Sequence, residues 1–342
     1  MPTFCRHNRF LERCPICRQT LGGGGGAGAR AGRSRPPGAG SGSRGTAAPR
    51  RGAGAGPGGN GRAGTGTRAG AAAPLRVSRA ARAEADGYRC ELLPGLHASQ
   101  DARGLAGELA FAAARLSILA SAPPGLFGEA AADPDRGRAT RLVMLACYLS
   151  PLEGDGDPFA GIRSAWPAWE RGEIPDLSAV PLGPRTSHDP RRGAATLEAF
   201  LAWERRAGSA EAAIVGDPGW TPARRFERAF ERLALPGLGR GARYDFLVTL
   251  GRLSVYDLRP DTLALGGDDD VLVAAKRVFG IGERGHLERR AGALAAVAGV
   301  PIEALDLALW NWQRGERAML GVRVDETAVG ADPGPIAAVL GL

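Results

Sequence analysis

Three groups of residues in this chain have the types and spacing to do chemistry. The first is Leu235-Pro236-Gly237-Leu238-Gly239-Arg240-Gly241, a glycine-rich turn between two apolar helical runs. Such a turn leaves backbone N–H groups unpaired at the start of the second helix, where the positive end of its dipole lies. That is a seat for phosphate. The second group is Asp268-Asp269-Asp270, an acidic turn just ahead of the run Val271 to Arg277. Aspartates there cap helices, and Asp269 or Asp270 fits that position. The third is Cys5, His7, Cys14 and Cys17, a C-x-H-x6-C-x2-C set of four nitrogen and sulfur ligands such as tetrahedral zinc takes. A structural zinc would explain how residues 1–20 fold without a core; the other reading is free thiols with His7 incidental. His97, His188 and His286 have no metal-ligand spacing and receive no role.

The elements that must hold these groups read as helices. Phe226, Ala229, Phe230 and Leu233 fall on one helical face, Pro236 and Gly237 stop that helix, and the period restarts at Ala242, Phe246, Leu247 and Leu250. The spacing predicts further helices over Asp101 to Ser121, Arg138 to Leu149, Phe159 to Trp166, Leu197 to Arg206, His286 to Ala298 and Ile302 to Trp312. Pro301 would open the last at its first position. Val180 to Arg192 reads as a polar loop. Leu305, Leu309 and Trp312 should pack inward; Trp310 and Trp312 read as core rather than as walls of a base pocket. No strand pattern and no internal repeat is visible, so the expected class is all-α.

Taken together, Leu-Pro-Gly-Leu-Gly, a helix, an acidic turn and a second helix resemble the helix-hairpin-helix DNA glycosylase superfamily. That family carries an aspartate in a turn ahead of a helix whose arginine comes nine residues later, the spacing of Asp268 and Arg277. The resemblance implies a helix-hairpin-helix glycosylase-like domain over 85–342, with the hairpin at 225–252. It implies Asp268 as the catalytic residue, and Leu235, Gly237, Gly239, Arg240, Gly241 and Arg277 as contacts to the DNA backbone. Asp257 and Asp261, in the long connection from Leu253 to Gly267, are the other candidates for the acidic role. Members that cleave the backbone have a lysine where this chain has Gly241, and Lys276 is the only lysine in the chain, so lyase chemistry is not expected. Arg243 stands where the family has an alanine. No cysteine follows that could ligate the iron–sulfur cluster of some relatives.

Composition divides the chain into residues 1–20, the candidate knuckle, residues 21–84, and the body from 85 to 342. The formal charges of these segments are +3, +10 and −5, within a total of +8. The middle segment is almost wholly Gly, Ala, Arg, Pro, Ser and Thr and should be a disordered linker, which buries too little apolar surface to offset chain entropy. It serves as a plain tether or as one that also holds nucleic acid. No stretch approaches the roughly 18–20 uninterrupted apolar residues of a membrane span and no signal core is visible, so a cytoplasmic, nucleoid-associated protein is expected.

An extruded base would enter the pocket of such a domain. The leading expectation is a monofunctional, non-lyase glycosylase-like enzyme of DNA repair or modification. The alternatives are the superfamily's amino-acid:DNA transferase (α-glutamyl/putrescinyl-thymine) branch, which joins an amine or amino acid to an activated hydroxymethylpyrimidine, and a non-catalytic DNA reader.

Overall fold

The computed structural model describes residues 83–267, 269–328 and 330–342. Cys5, His7, Cys14, Cys17, nearly all of the 21–84 segment and Asp268 lie outside the described residues. Among the described residues there are twelve helices and no strand, in agreement with the all-α reading.

The chain runs through α1 (Ser99–Ser121), α2 (Gly125–Ala132), α3 (Arg136–Leu149) and α4 (Ala160–Glu170) to α5 (Gly193–Ala207) and α6 (Ala210–Val215). The paired helices α7 (Pro222–Arg232) and α8 (Arg240–Arg252) follow. After a long loop come α9 (Asp270–Phe279), α10 (Arg284–Ala298), α11 (Ile302–Arg314) and α12 (Gly334–Val339).

Two helices form the axis of the core. α11 buries every residue from Glu303 to Gln313 and lies against both α1 and α9. A helix buried all round must satisfy its polar groups internally. Asn311 donates to Glu108 at 2.9 Å and accepts from the N–H of Ala318 at 3.0 Å, while Glu303 meets Arg252 at 2.5 Å. The second axis is α3, buried from Leu142 to Leu149 and packed on α8. Its first turn is capped by Asp135, which accepts from the N–H groups of Gly137 and Arg138 at 2.8 and 3.1 Å.

Some expectations need correction. By length and composition α1 passes for a membrane span, although Asp101, Arg103, Glu108 and Arg115 interrupt its apolar run. Its apolar residues Leu105, Leu109, Leu116 and Leu119 belong to the same core cluster as those of α11, and Trp312 of α11 donates to the carbonyl of Asp101 at 3.0 Å. α4 continues through Pro167, because Trp169 in its last turn is fully buried and donates to the carbonyl of Arg141 at 2.9 Å. Pro301 is the N-cap of α11 rather than its first residue. The short helices α2, α6 and α12 were not predicted, since six to eight residues hold too few turns for a period to show.

Candidate functional site

The hairpin between α7 and α8 is built as its residues require. Thr221 caps α7 by accepting from the N–H of Arg224 at 3.2 Å, with Pro222 in the first turn. Gly237 takes a φ of 76°, and a Cβ there would lie 2.1 Å from Thr196 Oγ1, so the apex needs glycine for both its backbone and its contact with α5. Arg243 stacks over Phe230 at 4.4 Å and donates to its carbonyl at 3.2 Å, so the residue in place of the family's alanine ties α8 to α7.

Gly239 is the N-cap of α8. It has no side chain to cap with, and the first bond into the helix is from the N–H of Arg243 to its carbonyl at 3.1 Å. The N–H groups of Arg240, Gly241 and Ala242 are left without a cap, facing a cavity of about 310 Å³. The opposite wall is the start of α9, with Asp269, Asp270 and Val271. The loop Pro184 to Ser187 and the α11 residues Trp310 and Arg314 complete it.

Behind this cavity runs a chain of buried charges. Arg185 grips Asp245 through Nε at 2.8 Å and Nη2 at 3.2 Å, and the same Nη2 donates to Asp306. Asp306 also accepts from Arg240, which continues to Asp269 at 3.1 Å and to the carbonyls of Leu263 and Ala264. Burial favours the neutral form of both inner carboxyls. At Asp245 burial prevails over the attraction of Arg185, Asp306 adds its repulsion, and the carboxyl is pushed above its ordinary value. At Asp306 the guanidiniums of Arg240 and Arg185 outweigh burial and hold the carboxyl below its ordinary value. Asp306 is therefore the ionised hub between two arginines, both of whose pKa values rise against burial because carboxylates surround them.

Two donors at the cavity have no partner. Arg185 and Arg314 both line it, both lie over the Trp310 ring at 5.5 and 5.6 Å, and Arg185 Nη1 and Arg314 Nε are buried without a hydrogen bond among the described residues. A buried donor left unpaired costs about 1–3 kcal/mol. The uncapped N–H groups at the start of α8 and the guanidiniums of Arg185 and Arg314 in the lining favour an anion in the cavity, against the carboxylates of Asp269 and Asp270 on the opposite wall.

The residues nominated from sequence are distributed unevenly. Gly239, Arg240 and Gly241 line the cavity; Leu235 and Gly237 belong to the hairpin and do not. The Arg240 guanidinium faces inward and anchors the loop of Leu263 and Ala264, so what this residue can offer a phosphate is its backbone N–H. Arg277 is turned toward α1 and α11: it lies over Trp312 at 4.4 Å, donates to Gln313 at 3.3 Å and approaches Asp101 at 3.8 Å. Asp268 lies outside the described residues. Its neighbour Asp269 is the N-cap of α9, accepting from the N–H of Leu272 at 2.9 Å. Asp257 pairs with Arg225 at 3.3 Å, and neither it nor Asp261 lines the cavity. Lys276 stands exposed on α9, away from the cavity lining. Of the tryptophans read as core, Trp310 does line the cavity, where it supports the two arginines.

Sequence reasoning missed Arg185, Asp245, Asp306 and Arg314. Asp306 had a visible signal, a carboxylate inside the apolar run Leu305 to Leu309, which is buried only when paired. Arg185 had none, being one arginine in a polar loop.

Among the described residues no group of His, Cys, Asp and Glu is arranged to hold a metal ion. Cys147 is a buried free thiol under α8, and burial pushes it up to about 12. Residues 185–323, from the cavity loop into the segment after α11, match the family described as alpha-glutamyl/putrescinyl thymine pyrophosphorylase clade 3. No curated protein and no solved structure matches the chain. The matched segment contains every residue that lines the cavity except Pro184. The similarity is thus to a family related to the amino-acid:DNA transferase branch, the alternative to the glycosylase.

Proposed function

We propose that the chain is a DNA-modifying transferase that joins an amine or amino acid to a thymine-type base activated as its 5-hydroxymethyl diphosphate. One observation carries this reading: the segment matched to a pyrophosphorylase family closes around a cavity lined by the uncapped start of α8 and by the guanidinium-bearing residues Arg185 and Arg314, a set that suits a diphosphate. The co-substrate nitrogen bonds to the exocyclic methylene carbon as the carbon–oxygen bond breaks. The electron pair of that bond leaves on the diphosphate, and one ammonium proton passes to a carboxylate or water.

Donors aimed at the leaving oxygens stabilise charge as it develops there. Asp268 is our candidate for the carboxylate that takes the proton. Of the described carboxylates, Asp269 is committed to its cap and to Arg240, whereas Asp270 is half-exposed at the cavity wall with only Arg314 near it, at 3.6 Å. Gly241, without an amine, leaves room over Arg185, and no lyase step enters the scheme. The thiolate and imidazole donors of Cys5, His7, Cys14 and Cys17 suit one structural zinc in residues 1–20, joined through the 21–84 linker to the 85–342 body.

The test is the intact mass of a synthetic duplex carrying 5-hydroxymethyluracil diphosphate, incubated with the full chain and with glutamate or putrescine. The expected product has lost the diphosphate and gained the amine, with free diphosphate appearing in equal amount. Loss of one whole base would overturn the reading in favour of a glycosylase, and an unchanged but bound duplex would favour a reader. Asp268→Asn should keep duplex binding and lose turnover; full activity in that variant would remove Asp268 from the mechanism. Zinc in the full chain, lost on Cys14→Ser/Cys17→Ser substitution, is the elemental-analysis check on the knuckle.

A further inference from the structure

The arginines nominated from sequence for the DNA backbone, Arg240 and Arg277, are turned inward, and the body as a whole is acidic. On the body, nucleic acid must therefore be held by local charge, if the chain acts on DNA as proposed above. The geometry points to Arg191 and Arg192 as the residues that grip the DNA backbone beside the cavity.

Both are exposed, and neither side chain has a hydrogen-bond or ion-pair partner among the described residues. They sit on the same loop that walls the cavity, a few residues beyond Ser187. That loop is held firmly at both ends. The N–H of Ser187 and the hydroxyl of Thr186 both donate to the carbonyl of Tyr148, at 3.0 and 3.1 Å, and Tyr148 Oη meets His188 Nδ1 at 3.2 Å. Asp189 closes the turn, its carbonyl accepting from Arg192 and Gly193 at 2.9 and 2.7 Å and its side chain from the N–H of Arg191 at 2.8 Å. Gly193 is needed because a Cβ there would lie 2.2 Å from the His188 ring.

The turn is also joined to the hairpin. Thr196 hydrogen-bonds the carbonyl of Arg192 through both its N–H, at 3.1 Å, and its hydroxyl, at 3.3 Å. The same hydroxyl is what the Gly237 apex packs against. Two uncommitted guanidiniums, the exposed hairpin apex and the cavity wall thus form one fixed surface. Its partner is a phosphodiester backbone, with the target nucleotide extruded between the grip and the cavity.

The experiment is the salt dependence of duplex binding by the full chain, with Arg191→Ala/Arg192→Ala compared against Arg205→Ala/Arg206→Ala. The control removes the same charge from exposed positions at the other end of α5. Each lost phosphate contact lowers the slope of log K against log salt by about 0.9. The expected result is a drop of about 1.8 in the first variant, little change in the control, and recovery in Arg191→Lys/Arg192→Lys. An unchanged slope in the first variant, or an equal drop in the control, overturns this inference while leaving the modification reading intact. Absence of duplex binding by the unaltered chain overturns both.

Discussion

Two helices begin at the same cavity and treat their first N–H groups in opposite ways. α9 closes its own start: Asp269 accepts from the N–H of Leu272 and shares its other oxygen with Arg240. α8 begins at Gly239, which brings no side chain, and its N–H groups stay open toward the space between the two helices. A capped start adds stability, whereas an uncapped start beside the guanidiniums of Arg185 and Arg314 forgoes some stability to keep donors for a ligand. The asymmetry separates scaffold from site within a few residues.

The comparison rests on the hub behind it, which is where the largest effect is expected. Asp306→Asn leaves Arg185 and Arg240 buried without their shared anion and should destabilise the fold by about 3–5 kcal/mol in chemical denaturation. A loss under about 1 kcal/mol would show that Asp245 and Asp269 suffice for the two arginines. Asp269→Ala removes the cap of α9 while Arg240 keeps Asp306, and should cost about 1 kcal/mol. Gly239→Asp makes α8 begin as α9 does. The new Cβ meets only the Ser187 hydroxyl, at 3.1 Å, so stability should rise by a few tenths of a kcal/mol while turnover in the duplex mass assay of the proposed reaction is lost, because a carboxylate occupies the anion seat. Retained turnover would mean that the open N–H groups are not part of the site.

The smallest effect is one of pH. Burial lowers the pKa of His188 below its ordinary value, so the folded state prefers the neutral ring. Stability is then full above the unfolded value of about 6.5 and falls as pH drops below it, where the unfolded chain binds the proton more readily. Melting temperature followed from about pH 7 to about pH 5 should decline, with a shallower decline in His188→Gln. Equal slopes would show that the Tyr148–His188 contact does not couple the cavity loop to protonation.

Legibility followed the range of the interactions. The helix before the hairpin, the break at Pro236-Gly237 and the cap at Asp269 were visible, because period, turn chemistry and capping each act within a few residues. The family resemblance gave Arg240 to the DNA backbone, since an arginine beside a glycine turn carries no mark of the aspartate on α11 that draws it inward. Local reasoning passed over Arg185, whose partners are on α8 and α11, and over Arg191 and Arg192, whose value comes from the Gly237–Thr196 contact between elements distant in sequence.

What the sequence determined by itself was the longer helices and the turn that leaves α8 open. These follow from the spacing of apolar residues and from backbone groups that glycine, proline and aspartate serve or withhold. What only the tertiary structure decided was which charges are spent on one another and which remain. Asp306, held ionised in the core, commits Arg240 and one side of Arg185. The donors left over then define the cavity, because a buried guanidinium goes to the nearest carboxylate in space and not to the nearest in sequence.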